Sequence, residues 1–336
     1  MKLTLEQIRT ITQGAERITE GNDGIRFFRF REAERKVYPQ SEHFDGITAA
    51  TAGIQLEFTT DATDLYMQVA ISKATNRSFF CHDIFVDGKL IGYIRNFPDG
   101  IEDSKYSHEE FPLGQFTGNF SLGEGIKTVR IVFPWSVISV LEELSLKNAS
   151  FITPVKPAKT ILMYGDSITQ GYDSLNPSQC YSLRLARWLN AEATIKAIGG
   201  EMFLPALAEQ VKTPAPDYIT VAYGTNDWTR LKDMGIFVSN CHGFIETISR
   251  NYPTSKIFVI SPIFRTDREK TEDVICPFAQ IEQTIEAAAK PLPNVTFLSG
   301  RELIPQNDLL LADRWVHPNH RGFDHYFTNL QKALPI

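Results

Sequence analysis

Long apolar stretches are missing from this chain. No run of its 336 residues approaches the roughly twenty apolar residues of a membrane-crossing helix. The opening segment, MKLTLEQIRTITQGAERITEG, lacks the apolar core and small-residue cleavage site of a secretory leader. Cysteine is scarce: Cys81, Cys180, Cys241 and Cys276 lie far apart with no CxxC pair. That spacing argues against metal ligands or a disulfide framework, and the expectation is buried or half-buried thiols in a cytoplasmic protein. Positive charge is in deficit too, 34 Lys and Arg against 40 Asp and Glu for a formal charge of -6. The chain therefore lacks the basic face on which sequence-independent nucleic-acid binding depends, and no nucleic acid or membrane is expected as partner. Internal repeats and low-complexity tracts are absent as well.

What is present suits a soluble protein with a sizeable core, 43% hydrophobic and 22% charged. The length exceeds that of a usual single domain, so two are expected. Leu5, Ile8, Ile11, Ala15 and Ile18 recur at spacings of three and four, which predicts one amphipathic helix over residues 3–20, ended by Gly21 and Gly24. From Ile25 to Ser150 the texture changes to short alternating or aromatic-rich runs separated by Gly, Pro, Asn and Asp, the pattern of an antiparallel β-sandwich of jelly-roll type. Asp87-Gly88 reads as a tight hairpin turn. FITPVKPAKT, with Pro154 and Pro157, reads as a linker, which sets domains at 1–153 and 158–336. Beyond it, strands at 161–164, 194–198, 218–222, 257–260 and 295–298 alternate with helices near 179–189, 203–210, 237–250, 277–289 and 320–330. Alternation of this kind predicts an α/β domain, a parallel sheet covered by helices on both faces.

The second half turns on TILMYGDSITQG, residues 160–171. An apolar run, Ile161 to Tyr164, forms a buried strand and Gly165 breaks it, so Ser167 falls just past a strand end, where open α/β sheets gather ligands. Asp166 is placed to cap the turn. Gly200 follows the next apolar segment, Gly224-Thr225-Asn226-Asp227 the one after, and Asp313 and His317 lie near the C-terminus. These blocks, in this order, resemble the SGNH (GDSL-type) hydrolase superfamily, in its two-domain form with an N-terminal β-sandwich, similar to carbohydrate esterases.

The resemblance implies roles. Ser167 is the nucleophile, and His317, carried over on HPN and the following Gly322, is its base; His320 is the rival in the same segment. Asp313 is the acid, yet it stands four residues before His317 where the family has three, with Arg314 at the usual place. A turn can absorb the extra residue; otherwise a backbone carbonyl near Arg314 or Trp315 orients the imidazole of a Ser-His dyad. The oxyanion donors are the N–H groups of Ser167 and Gly200, with Gly199 as the alternative, and the Asn226 side chain. Tyr172, Trp228 and Trp315 are expected in the substrate pocket, with Tyr223 and Phe264 as further aromatic candidates. Glu201 and Asp227 are read as shaping alcohol selectivity or as surface caps, and the 173–179 loop as a lid. No cofactor and no metal are expected. The implied activity is hydrolysis of a short-chain acyl ester, acetyl first, on a small-molecule or glycan substrate. Two alternatives stand beside it: a lipase-like or aryl esterase, and a sugar-binding protein whose machinery has decayed. The sandwich is expected to bind glycan itself or to complete the pocket.

Overall fold

The computed structural model describes residues 1–101 and 106–336. The described chain divides into two compact units, Met1–Ala158 with Leu175–Ser178, and Lys159–Ser174 with Gln179–Ile336.

The first unit holds two antiparallel sheets. One runs in the order Thr12–Gln13, Gln55–Thr60, Lys127–Val132, Cys81–Val86, Lys89–Arg95; the other in the order Arg17–Gly21, Gly24–Phe28, Val137–Lys147, Asp64–Lys73, Gly114–Ser121. Alternation along Asp64–Lys73 sends Leu65, Met67, Val69 and Ile71 inward, where they meet Phe58, Ile84, Val129 and Ile131 in a single core. Each such side chain contributes about 1.5–3 kcal/mol by leaving water. Asp87 and Gly88 both take left-handed φ, 48° and 77°, as a two-residue turn matched to the twist of its strands requires.

Two expectations fail here. The N-terminal helix covers only Leu5–Ile11, opened by a Thr4–Gln7 capping box. Thr12–Gln13 is already sheet, Gly14 turns the chain at φ 83°, and Ile18 lies in a hairpin that pairs Gly21 with Gly24. The β-branched run Thr10-Ile11-Thr12 and the glycine weaken a helix that strand pairing then displaces. The linker also begins as sheet, because Ile152–Pro154 pairs with Phe58–Thr60. Proline is tolerated there since the strand lies at an edge, where the donor it lacks is not needed.

The second unit is a three-layer α/β fold. Its parallel sheet has the order Ala191–Ala197, Lys159–Gly165, Tyr218–Ala222, Lys256–Ile260, Val295–Leu298. From Lys159–Gly165 the chain steps to one neighbour and then crosses to the other. Loops leaving the carboxyl ends on either side of that switch splay apart and leave a crevice. Two short helices that the hydrophobic period did not indicate, Ser167–Gln170 and Thr225–Arg230, begin at this edge. No helix among the described residues is long and apolar enough to cross a membrane.

Candidate active site

Ser167 is the first residue of the Ser167–Gln170 helix. Asp166 caps it, accepting from the Ile168 N–H at 2.9 Å. Gly165 makes so sharp a strand-to-helix turn possible, since a β-carbon there would run into Thr169 Oγ1. The Ser167 N–H heads the helix, where no preceding turn supplies an acceptor.

His317 lies between two partners. Its Nε2 is 2.9 Å from Ser167 Oγ, and its Nδ1 is 2.7 Å from Asp313 Oδ2. The unusual spacing is absorbed at Arg314, which takes a left-handed φ of 56°. That turn lets Asp313 Oδ1 accept from the N–H groups of Trp315, Val316 and His317 at 2.9, 2.9 and 3.1 Å while Oδ2 faces the imidazole. Burial works to raise the Asp313 carboxyl, but the hydrogen bond and charge of His317, with the Val316 and His317 amides, outweigh it and hold the group well below the usual carboxylate range. The backbone carbonyl of His317 accepts from the Ala312 N–H at 2.8 Å, and the Tyr172 ring stacks on the imidazole at 5.4 Å. His320 starts the C-terminal helix and is exposed.

The residues expected to donate amide protons follow the two strands that flank Lys159–Gly165, Ala191–Ala197 and Tyr218–Ala222. The Gly199 N–H is taken by Gln170 Oε1 at 2.9 Å. Gly200 has a left-handed φ of 81°. Asn226 Nδ2 spends one proton on the Glu201 carbonyl at 3.0 Å and carries a second.

A second carboxylate, outside the expected catalytic set, joins the imidazole. Asp173 is fully buried, and its Oδ2 lies 3.6 Å from His317 Nδ1. The sequence places it only in the expected lid, yet a left-handed φ of 62° turns it back toward the site six residues after the serine. Asp tolerates that conformation better than most residues, and nothing else local to the sequence singles the position out. Donor atoms of Asp173, Asp313 and His317 lie within 4.8 Å of one another. Both carboxylates approach Nδ1 of the imidazole, and its Nε2 faces Ser167. Residues 175–178 are counted with the first unit, where Asn176 Nδ2 and the Ser178 N–H donate to Asp83 at 2.7 and 3.0 Å. That anchoring argues against a freely moving lid.

Of the expected aromatic wall, four of the five rings are buried. Trp228 is 0% exposed, donates Nε1–H to the Cys276 carbonyl and packs edge-on against Phe278. Tyr223 and Phe264 are buried too, and Tyr172 is spent on His317. Trp315, 47% exposed, presents its ring. It is backed by the buried Arg265 guanidinium, which stacks on Trp228 at 4.7 Å and Trp315 at 5.3 Å and pairs with Asp267. A cavity of about 470 Å³ between Arg268, Lys270, Cys276, Phe278 and Arg301 includes none of these site residues.

Glu201 and Asp227 are buried, so neither is a surface cap. Asp227 Oδ1 accepts from the Phe203 N–H at 3.1 Å, and burial pushes its carboxyl up to about 7, aided by the charge of Asp166, itself raised by burial to about 6. Between the ordinary carboxylate value and these raised values the folded chain holds protons that the unfolded chain has lost, so stability falls as pH rises through that window. Asp227→Asn removes its share of the slope, roughly 1.4 kcal/mol per pH unit. Denaturant unfolding of both proteins at pH 4.5 and 7.5 reads this directly; parallel pH dependences would contradict it.

Residues 163–325 match the family model described as GDSL-like lipase/acylhydrolase. The second unit belongs to that family. Around this acylhydrolase domain, solved structures share the architecture of the whole chain. A salicylyl-acyltransferase, SsfX3, from a tetracycline biosynthetic pathway is 18% identical, with 100% of this chain and 98% of that one covered at a TM-score of 0.81. A family two carbohydrate esterase from Clostridium thermocellum, solved with cellohexaose, is 16% identical over 96% and 97% of the chains at 0.64. An acetyl xylan esterase from the rumen bacterium Butyrivibrio proteoclasticus is 14% identical over 99% and 97% at 0.61. Likeness at such identities is likeness of fold. No curated protein matches the sequence. Among the four cysteines all are buried and free.

Proposed function

We propose that the acylhydrolase domain is a serine esterase that removes short acyl groups, acetyl first, from a carbohydrate. The observation that carries this reading is the continuous hydrogen-bonded line from Ser167 Oγ through His317 to Asp313. A serine hydroxyl is a poor nucleophile at neutral pH, and a base held by its own partner corrects that. His317 Nε2 takes the Oγ proton as Oγ bonds to the ester carbonyl carbon, and the carbonyl π electrons move onto oxygen. The Ser167 and Gly200 amides and the remaining Asn226 proton supply donors for that oxyanion. Collapse expels the alcohol, which receives the proton from His317, and leaves Ser167 acylated. Water then repeats the sequence and returns the acid and free Ser167. Asp313 favours the tautomer with the proton on Nδ1 and stabilises the imidazolium at each half-step. The carbohydrate assignment rests on the exposed Trp315 face, whose ring suits a sugar, and on likeness to the carbohydrate esterases.

A fluorophosphonate probe tests the nucleophile. The adduct, mapped by mass spectrometry, is expected on Ser167 with concurrent loss of activity on acetylated xylo-oligosaccharides. Labelling at any other serine overturns the assignment. Acyl transfer to an added alcohol in preference to water would move the reading from hydrolase to transferase.

A further inference from the structure

Gly200 has no side chain, and another residue occupies the space. A β-carbon there would fall 2.6 Å from Arg230 Nη2, 2.7 Å from Nη1 and 2.9 Å from Cζ, so the guanidinium lies directly against the Gly200 backbone. Arg230 closes the helix Thr225–Arg230, four residues after Asn226. Residues four apart share a helix face, so the arginine side chain leaves the helix on the side from which Asn226 reaches the neighbouring Glu201 carbonyl. The result is a patch in which a cation borders two of the three proposed oxyanion donors.

The cation is also uncommitted. Among the described residues the Arg230 guanidinium has no hydrogen bond, ion pair or ring contact, and the side chain is exposed. In contrast, the buried Arg265 is fully engaged, with Asp267, Thr225 and two tryptophans. The chain as a whole carries a formal charge of -6 and repels anions in general. An unpaired guanidinium beside the amides is then the feature that gives an anionic ester a place to bind, with a planar fork suited to two carboxylate oxygens.

We propose that Arg230 forms an anion subsite beside Gly200 and that the preferred substrates are esters bearing a carboxylate close to the scissile bond. The inference rests on the esterase reading and adds the substrate's charge to it. The carboxylate can sit on the acyl side or on the alcohol side, and two substrate pairs separate these. p-Nitrophenyl hydrogen adipate against p-nitrophenyl hexanoate places it on the acyl chain. 4-Acetoxybenzoate against phenyl acetate places it on the leaving group.

The readout is the ratio of kcat/KM for the charged over the neutral member of each pair, which cancels any general damage. Arg230→Gln is expected to lower that ratio by about tenfold in at least one pair, the scale of a charge-assisted contact that is partly exposed. Arg230→Lys should retain part of it and Arg230→Glu should lower it further. The pair that responds locates the anion. A change under threefold in both pairs for Arg230→Gln and Arg230→Glu overturns the subsite while leaving the esterase reading intact. Absence of hydrolysis of all four esters by the wild-type protein overturns both.

Discussion

Ser167→Ala and His317→Ala each lower kcat for p-nitrophenyl acetate by roughly 10⁴- to 10⁶-fold, and the double variant is no slower than the slower single one. The magnitude follows from the geometry. Without the imidazole, the Ser167 hydroxyl has no base at 2.9 Å, and without the hydroxyl the imidazole has nothing to activate. The two groups act as one unit, so their losses do not add. KM should move far less than kcat, because neither side chain contributes much to holding the substrate before attack. Loss of one hydrogen bond costs about 1 kcal/mol of stability, so the variants stay folded and melting curves check that. Retention of more than a tenth of wild-type kcat by Ser167→Ala, or additive losses in the double variant, would falsify the assignment.

The parts of this site that could be read from the residues are those fixed by backbone geometry close in sequence. Ile161 to Tyr164 followed by glycine announces a buried strand and a turn, and that alone sets Ser167 at a sheet edge. His317 is similarly legible because Pro318 and Asn319 end a loop and cap a helix, Asn319 Oδ1 accepting from the Gly322 N–H at 3.0 Å. What escaped was set by tertiary packing. Trp228 stands two residues after Asn226, and nothing local decides whether an indole there faces a ligand or the core; the helix Thr225–Arg230 turns it inward against Phe278. The same turn carries Arg230 back to Gly200. Asp173 is close to Ser167 in sequence, but its meeting with His317 spans a separation of 144 residues and depends on one left-handed φ. In the first unit, Ile11, Ala15 and Ile18 fit a helix face, and long-range pairing of Thr12–Gln13 with Gln55–Leu56 defeated that local preference.

The Asp313–His317–Asp173 arrangement leads to a prediction about redundancy. Where a single carboxylate orients the base, its conversion to amide costs about 10⁴-fold in kcat because the imidazole adopts the wrong tautomer. Here a second carboxylate lies 3.6 Å from the same nitrogen and is fully buried. Asp313→Asn is therefore expected to lose only about 10²- to 10³-fold, less than that single-carboxylate case, since Asp173 still favours the proton on Nδ1. Asp173→Asn alone should cost under about tenfold, because Asp313 holds the shorter bond at 2.7 Å and three backbone amides fix its position. The double variant should fall to about 10⁴-fold, further than the two single losses multiplied only if the carboxylates substitute for each other. The pH profile gives an independent reading: removing negative charge beside the imidazole disfavours its protonated form, so the acid limb of kcat/KM moves to lower pH in each variant. If Asp313→Asn is as slow as the double variant and the acid limb of Asp173→Asn does not move, Asp173 serves only to shape the turn after Gly171, and orientation of the base belongs to Asp313 alone.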